Sequence, residues 1–208
     1  MMLAYNSDHE FRSKFIDLIR WHRAQDAIVA GTYGDLIDGK WRGCAVGCSL
    51  RSLDMIRSVE FDGIGDHIRY ESELGIPAVL AHLQDRLFES LPQEIRSDWP
   101  LRFSEAIQPG ADLSLVWPRF ALWLFVEDGV IRFAATDRER TAIQGVTDLY
   151  ERQVDGGTVT DEEWRSAATA ASAAAASAAS AAAADAADAA SAYAYAASYA
   201  AADAADAS

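Results

Sequence analysis

From Ser166 to Ser208 the chain is alanine at 28 of 43 positions and contains no Leu, Ile, Val, Phe, Met or Trp. Such a stretch cannot build a core of its own, because a fully buried methyl contributes only about 0.8 kcal/mol. Nearly all the large apolar side chains lie before it, so residues 1–158 must supply the core, and that length can bury a substantial one. Alanine is the best helix former. Nothing between Asp161 and Ser208 breaks a helix, and Thr160-Asp-Glu-Glu163 has the form of a capping box. The chain is therefore expected to be all-α: a compact multi-helix domain over 1–158, followed by a long alanine-rich helical tail over 159–208.

At 100° per residue Ser166, Ser177, Ser180, Asp188, Ser191, Ser198 and Asp206 share one side of this tail. Trp164 and Tyr193 lie opposite, while Tyr195 and Tyr199 fall on the polar side. A helix with so bare a face can approach another backbone closely. It is expected to fold back on itself, to pack along the globular part, or to pair with a second copy.

Within 1–158 the pattern is helical almost throughout. Ser7-Asp-His-Glu10 reads as a capping box, and Phe11, Phe15, Leu18 and Ile19 form a stripe, predicting a helix from Asp8 to Ala30. Trp21-His22 reads as a half-buried indole beside a solvated imidazole. Gly31 to Gly43 is a loop or hairpin. A second helix over 43–58 buries Val46, Leu50, Leu53, Met55 and Ile56 and turns Arg51, Asp54 and Arg57 outward. Residues 61–75 read as loop with one turn of helix. Pro77 opens an amphipathic helix striped by Val79, Leu80, Leu83, Leu87 and Phe88, with His82, Gln84, Asp85 and Arg86 on its other sides. A helix after Pro92, broken at Trp99-Pro100, continues through Ile107. Leu113 to Val126 is apolar almost all round and is expected to be the central helix. Val130 to Ala134 alternates like a short strand, and Asp137 to Val154 reads as a helix.

The net charge is −14, with sixteen arginines and two lysines scattered among the acids. Phosphate contacts need clustered cations, so bare nucleic acid is not an expected partner. With no export leader and no apolar run of membrane-spanning length, the chain is expected to be cytoplasmic and to have no membrane partner.

The most particular local pattern is Gly39-Lys-Trp-Arg-Gly-Cys-Ala-Val-Gly-Cys48, which holds both cysteines. Upstream, Gly34 to Lys40 has phosphate-loop spacing. Trp41 stands where Ser or Thr would hold magnesium, Asp35 and Asp38 would repel phosphate, and a helix precedes it instead of a strand. Lys40 and Arg42 beside a helix starting at Gly43 could bind an anion, against the alternative that they offset nearby acids. Cys44 and Cys48, one turn apart, could be metal ligands, although a structural zinc needs four and His22, His67 and His82 are scattered. They could also be a redox pair, or small buried side chains beside Gly43 and Gly47 where a neighbour, the alanine tail for instance, comes close. No catalytic constellation stands out and no cofactor is expected.

That run, together with Glu73-Leu-Gly-Ile-Pro77, Leu83-Gln-Asp-Arg-Leu-Phe-Glu89, Trp99-Pro-Leu-Arg-Phe103 and Pro109-Gly-Ala-Asp-Leu113, resembles a set of uncharacterised bacterial and phage-encoded proteins with alanine-rich tails. The resemblance implies an origin and not an activity. In that set the tail ends in a Leu-rich amphipathic segment, whereas this chain ends in Ala-Asp-Ala-Ser208. The expected function is non-enzymatic: a phage or mobile-element protein acting through a protein partner or its own oligomer by way of the alanine-rich helix. The alternative is a small ligand-, anion- or metal-binding protein, or an enzyme, with its site at residues 39–48.

Overall fold

The computed structural model describes residues 3–59, 67–127 and 129–206, the last of these as backbone only beyond residue 184. The architecture is all-α apart from one small hairpin. The described residues form two compact units, Met1–Trp117 and Pro118–Ser208. The expected boundary at 158 therefore falls inside the second unit.

The first unit begins with a left-handed turn at Tyr5, Asn6 and Ser7. The turn is pinned where Ala4 exchanges backbone hydrogen bonds with Gly110 and Ala111, and where the Tyr5 hydroxyl donates to the Ser104 carbonyl at 3.0 Å. It carries Ser7 out of capping position. Asp8 caps α1 (His9–Ala24) instead, accepting from the Phe11 N–H at 2.9 Å. Helix α1 stops six residues before the expected Ala30, because residues 27–29 pair with the chain at Gly43. The Gly43 N–H donates to the Ala27 carbonyl and the Val29 N–H to the Gly43 carbonyl.

Strands β1 (Asp35–Ile37) and β2 (Lys40–Arg42) form an antiparallel hairpin. Its two-residue turn, Asp38-Gly39, has positive φ at both positions, the geometry that matches strand twist. The phosphate-loop spacing is thus a hairpin turn. Helix α2 (Ala45–Arg57) follows, with Cys44 as its N-cap and Ser58 in the left-handed region at its end. Leu50, Leu53, Val46 and Cys48 are fully buried along α2. Asp54, expected to face outward, is buried as well, because Arg69 reaches it at 2.6 Å from α3 (Ile68–Leu74) and also holds Glu73 at 2.7 Å. Of the expected loop over 61–75, residues 61–66 lie outside the described residues and most of the rest is α3.

Helix α4 (Ala78–Ser90) buries Leu80, Ala81, Gln84 and Phe88, while Leu87 of the expected stripe is exposed. Short α5 (Gln93–Arg96) and α6 (Trp99–Ala106) keep the expected break at Trp99-Pro100. The core of this unit gathers around α2, with Phe15, Ile19, Leu50, Leu53, Tyr70, Leu74, Ile76 and Phe88 fully enclosed. It is not built around Leu113–Val126. That segment is α7 (Val116–Leu122) followed by a π-helical turn to Glu127, and Val116, Trp123 and Val126 are each more than 40% exposed.

In the second unit Val130–Phe133 is a 3-10 turn and not a strand. Among the described residues no neighbouring strand is present to satisfy an extended backbone there. Helix α8 (Asp137–Val154) opens with a capping box in which Thr136 and Glu139 bond reciprocally. Helix α9 (Asp161–Asp206) opens with a second, Thr160 and Glu163, and Arg152 reaches Glu163 at 2.6 Å. The Tyr150 and Trp164 rings meet at 4.7 Å, so the start of α9 packs antiparallel along α8, a helix expected in the globular part, and the tail is one helix that does not fold back on itself among the described residues. At about 1.5 Å per residue the 46-residue α9 runs about 69 Å, far past the end of the 18-residue α8. The side chains of Ser191, Tyr193, Tyr195, Ser198, Tyr199 and Asp206 lie outside the described residues. By length and composition alone Asp161–Ala184 is apolar enough to cross a membrane, which the expectation of no such run did not allow for.

Trp21 is half exposed, as expected, but His22, expected in solvent, is fully buried with neither ring nitrogen hydrogen-bonded. Burial, aided by the Arg51 charge, pulls its pKa down to about 4. The unfolded chain therefore takes up this proton first as pH falls below about 6.5. Stability contributed by the neutral ring is whole above that value and lost on the way down to 4. Denaturation of the wild type should lose about 2 kcal/mol more between pH 7 and pH 5 than that of His22→Leu. Parallel losses in the two proteins would refute the assignment.

The glycines before Cys44 and Cys48 have a steric reason. A Cβ on Gly47 would sit 1.5 Å from the Tyr33 carbonyl oxygen, and one on Gly43 would sit 2.8 Å from the same atom. The neighbour that comes close is thus the backbone of the loop before β1. Gly47→Ala should cost at least about 3 kcal/mol in urea denaturation, and Cys48→Ser only about 1 kcal/mol. A larger loss for the serine variant would show that the thiol, not the contact, holds this joint.

Candidate functional site

The two thiols, alike in sequence, face different surroundings. Cys48 Sγ lies 3.4 Å from the Gly43 carbonyl and 3.6 Å from that of Ala27, and is fully enclosed. Burial pushes its pKa up to about 12, so it is an inert packing group. Cys44, as N-cap, turns its sulfur the other way. Sγ accepts from the Gly47 N–H at 3.4 Å and lies 3.8 Å from the Tyr33 carbonyl.

Across from it stands α4. Asp85 and Glu89 are four residues apart on that helix and so share a face. One ligand atom from each of Cys44, Asp85 and Glu89 falls within 4.8 Å of the other two. Donors around a tetrahedral ion are separated by about 3.5 Å, so a small closing movement would bring these three onto one cation. Glu89 is the exposed member, and its carboxylate accepts from the Gly31 N–H at 3.2 Å. The Asp85 side chain is 27% exposed, its Oδ1 is enclosed, and its carboxylate lies within hydrogen-bonding reach of the Cys44 thiol.

His67 Nε2 lies 3.5 Å from the other Asp85 oxygen. The His67 ring stacks on His82 at 3.9 Å between centroids and 16° between planes, and meets the edge of Tyr33 at 6.3 Å. Folding thus unites two of the scattered histidines beside the carboxylate. His82, Asp85 and Glu89 recur at helical spacing along α4, a pattern available in the sequence that the apolar stripe of the same helix overshadowed. Only Cys44 among these donors stood out from the sequence, and its partners lie about forty residues away in the chain.

Burial pushes the Cys44 thiol up to about 12, the Gly47 N–H pulls against this, and the adjacent Asp85 carboxylate adds to it. A cation bound among the three would reverse this balance, since a coordinated thiol gives up its proton.

The anion-binding arrangement at Lys40, Arg42 and Gly43 finds its backbone donors engaged. The Gly43 N–H goes to Ala27, that of Cys44 to the Thr32 carbonyl, and that of Gly47 to Cys44 Sγ. Arg42 stands opposite Asp35 in the hairpin register, and Lys40 is exposed at the turn. No protein-family model, curated protein or solved structure matches this chain.

Proposed function

We propose that this chain is a metal-binding protein whose centre is formed by Cys44, Asp85 and Glu89, with His67 supporting Asp85. The observation that carries the reading is the convergence of one thiol and two carboxylates, contributed by the N-cap of α2 and one face of α4. Sulfur combined with oxygen donors favours a transition-series dication such as zinc or cobalt over magnesium or calcium, which take oxygen ligands. Support also comes from the position of the partly buried Asp85 carboxylate directly against the Cys44 thiol. His67 Nε2, 3.5 Å from a carboxylate oxygen of Asp85, stands where an outer partner would orient that ligand. Equilibrium dialysis against zinc followed by metal analysis tests this. One ion per chain is expected, with affinity at least about tenfold weaker in Cys44→Ser and in Asp85→Asn and little changed in Cys48→Ser. Equal binding by Cys44→Ser and the wild type would remove the site.

Association with a protein, through a partner or a second copy, is a second reading with its own support. The second unit carries an apolar groove of about 340 Å³ lined by Phe125, Phe133, Ile143, Val146, Ala171 and Ala174. Phe133 beside it is 74% exposed, and Trp123 and Val126 are each nearly half exposed. Exposed large apolar groups gathered in this way mark interaction surfaces. Sedimentation velocity across a hundredfold concentration range should show self-association that Phe133→Ser weakens. A monomer at every concentration would exclude the second copy as the occupant.

A further inference from the structure

We infer that the apolar groove of the second unit is filled by Tyr193 of a second copy, in a two-fold antiparallel dimer where each α9 lies along the other. The inference rests on the self-association reading above and adds the occupant of the groove and the symmetry of the pair.

The first ground is register. Ala175 lines the groove. Between Ala168 and Ala204 every residue within about 40° of its direction around α9 is alanine, with the single exception of Tyr193. Tyr193 follows Ala175 by eighteen residues, five full turns, so it stands on the same face about 27 Å further on. Trp164, at the head of the same stripe, already meets Tyr150 of α8. That contact sets the first residue of α8, Asp137, opposite about residue 177 of α9. Residues 179–184 are accordingly all exposed. Tyr193 thus lies past the reach of α8, and a continuous helix cannot return it to its own groove. A second copy can supply it.

The second ground is closure. With Tyr193 of one copy set against Ala175 of the other, the two-fold axis falls at residue 184, and the same operation seats the second Tyr193 in the second groove. Both grooves are then filled and the assembly is closed at two copies. An overlap from 164 to 204 is about 62 Å long and, at a helix width of about 10 Å, covers about 1,200 Å² over the two copies, the lower end of what a specific interface buries. The third ground is chemistry. Phe125, Phe133, Ile143 and Val146 offer apolar walls to a ring, and Glu139 at the edge offers an acceptor to its phenol. Asp185, Asp188, Asp203 and Asp206 are placed by register at least about 80° away from this seam, so no acid interrupts it. The same four acids disfavour the bilayer interior as the occupant.

The test is sedimentation velocity on the full chain and on Tyr193→Ala, Phe133→Ser and the double variant, with helicity followed by circular dichroism. Alanine favours the helix, so Tyr193→Ala should keep it. The wild type is expected to dimerise and each single change to raise the dissociation constant at least about tenfold. The double variant should be no weaker than the singles, because both changes empty one contact. A dimer weakened by Phe133→Ser and indifferent to Tyr193→Ala would keep the association reading and overturn the occupant, as would losses that multiply in the double variant. A monomer at every concentration would remove the dimer and the self-association reading together. Flotation of the wild type, and not of Phe133→Ser, with phosphatidylcholine vesicles would make lipid the occupant and overturn the proposal.

Discussion

The first unit depends on one close approach, that of the Tyr33 carbonyl to the first turn of α2. Only a residue without a Cβ can stand at position 47, because any side chain would begin 1.5 Å from that oxygen. The contact seats the loop before β1 against the helix. The bonds from Gly43 to Ala27, from Val29 to Gly43 and from Cys44 to Thr32 then hold the segment on both sides. Cys44 becomes an N-cap as a result. Its capping sulfur turns back to the Gly47 N–H and the Tyr33 carbonyl, whereas that of Cys48 turns to the Gly43 and Ala27 carbonyls, and this separates the two buried cysteines. One turn further on, Cys48 belongs to the interior.

The same joint makes the candidate metal site possible. Helices α2 and α4 pack through the buried residues Leu50, Leu53, Leu80 and Ala81, and that packing brings the Asp85–Glu89 face of α4 opposite the helix cap. The donors are thus held by rigid elements, which suits a site requiring fixed ligand geometry. Asp54, Arg69, Glu73 and Arg57 form an ion network linking α2 and α3, near the start of which His67 is placed. Removing Arg69 would strand a buried carboxylate, so this network is a structural requirement of the α3 position and not a second reactive centre.

The second unit follows a different principle. Two capping boxes, a tyrosine–tryptophan contact and an Arg152–Glu163 pair align α8 with the beginning of α9, and small residues let the helices lie close. Alanine contributes little burial per residue, so order here comes from helix propensity and end capping more than from a core. Large groups near the 3-10 turn, above all Phe133, remain uncovered for the same reason: methyl groups on α9 do not reach over them.

The sequence by itself determined the helical class, the hairpin glycines, the bounds of α8 and the existence of α9, because these rest on local propensity, periodicity and capping. It also pointed to Gly43 and Gly47 as a close-packing joint, but offered the alanine tail as the neighbour where the structure puts the Tyr33 carbonyl. It misjudged segments whose state depends on distant partners. Leu113–Val126 looked central for its hydrophobicity, yet the core formed where α1, α2, α4 and α6 could interlock. His22 was assigned to solvent, although α1 rotates it inward and Trp21 outward. The residues 130–134 alternated like a strand with no strand to join. The site was half legible: Cys44 was conspicuous, but Asp85, Glu89 and His67 look like ordinary surface polarity until the fold sets them opposite it. Tertiary structure alone decided that convergence, because the distance between a helix cap and the face of another helix is set by how their apolar sides pack.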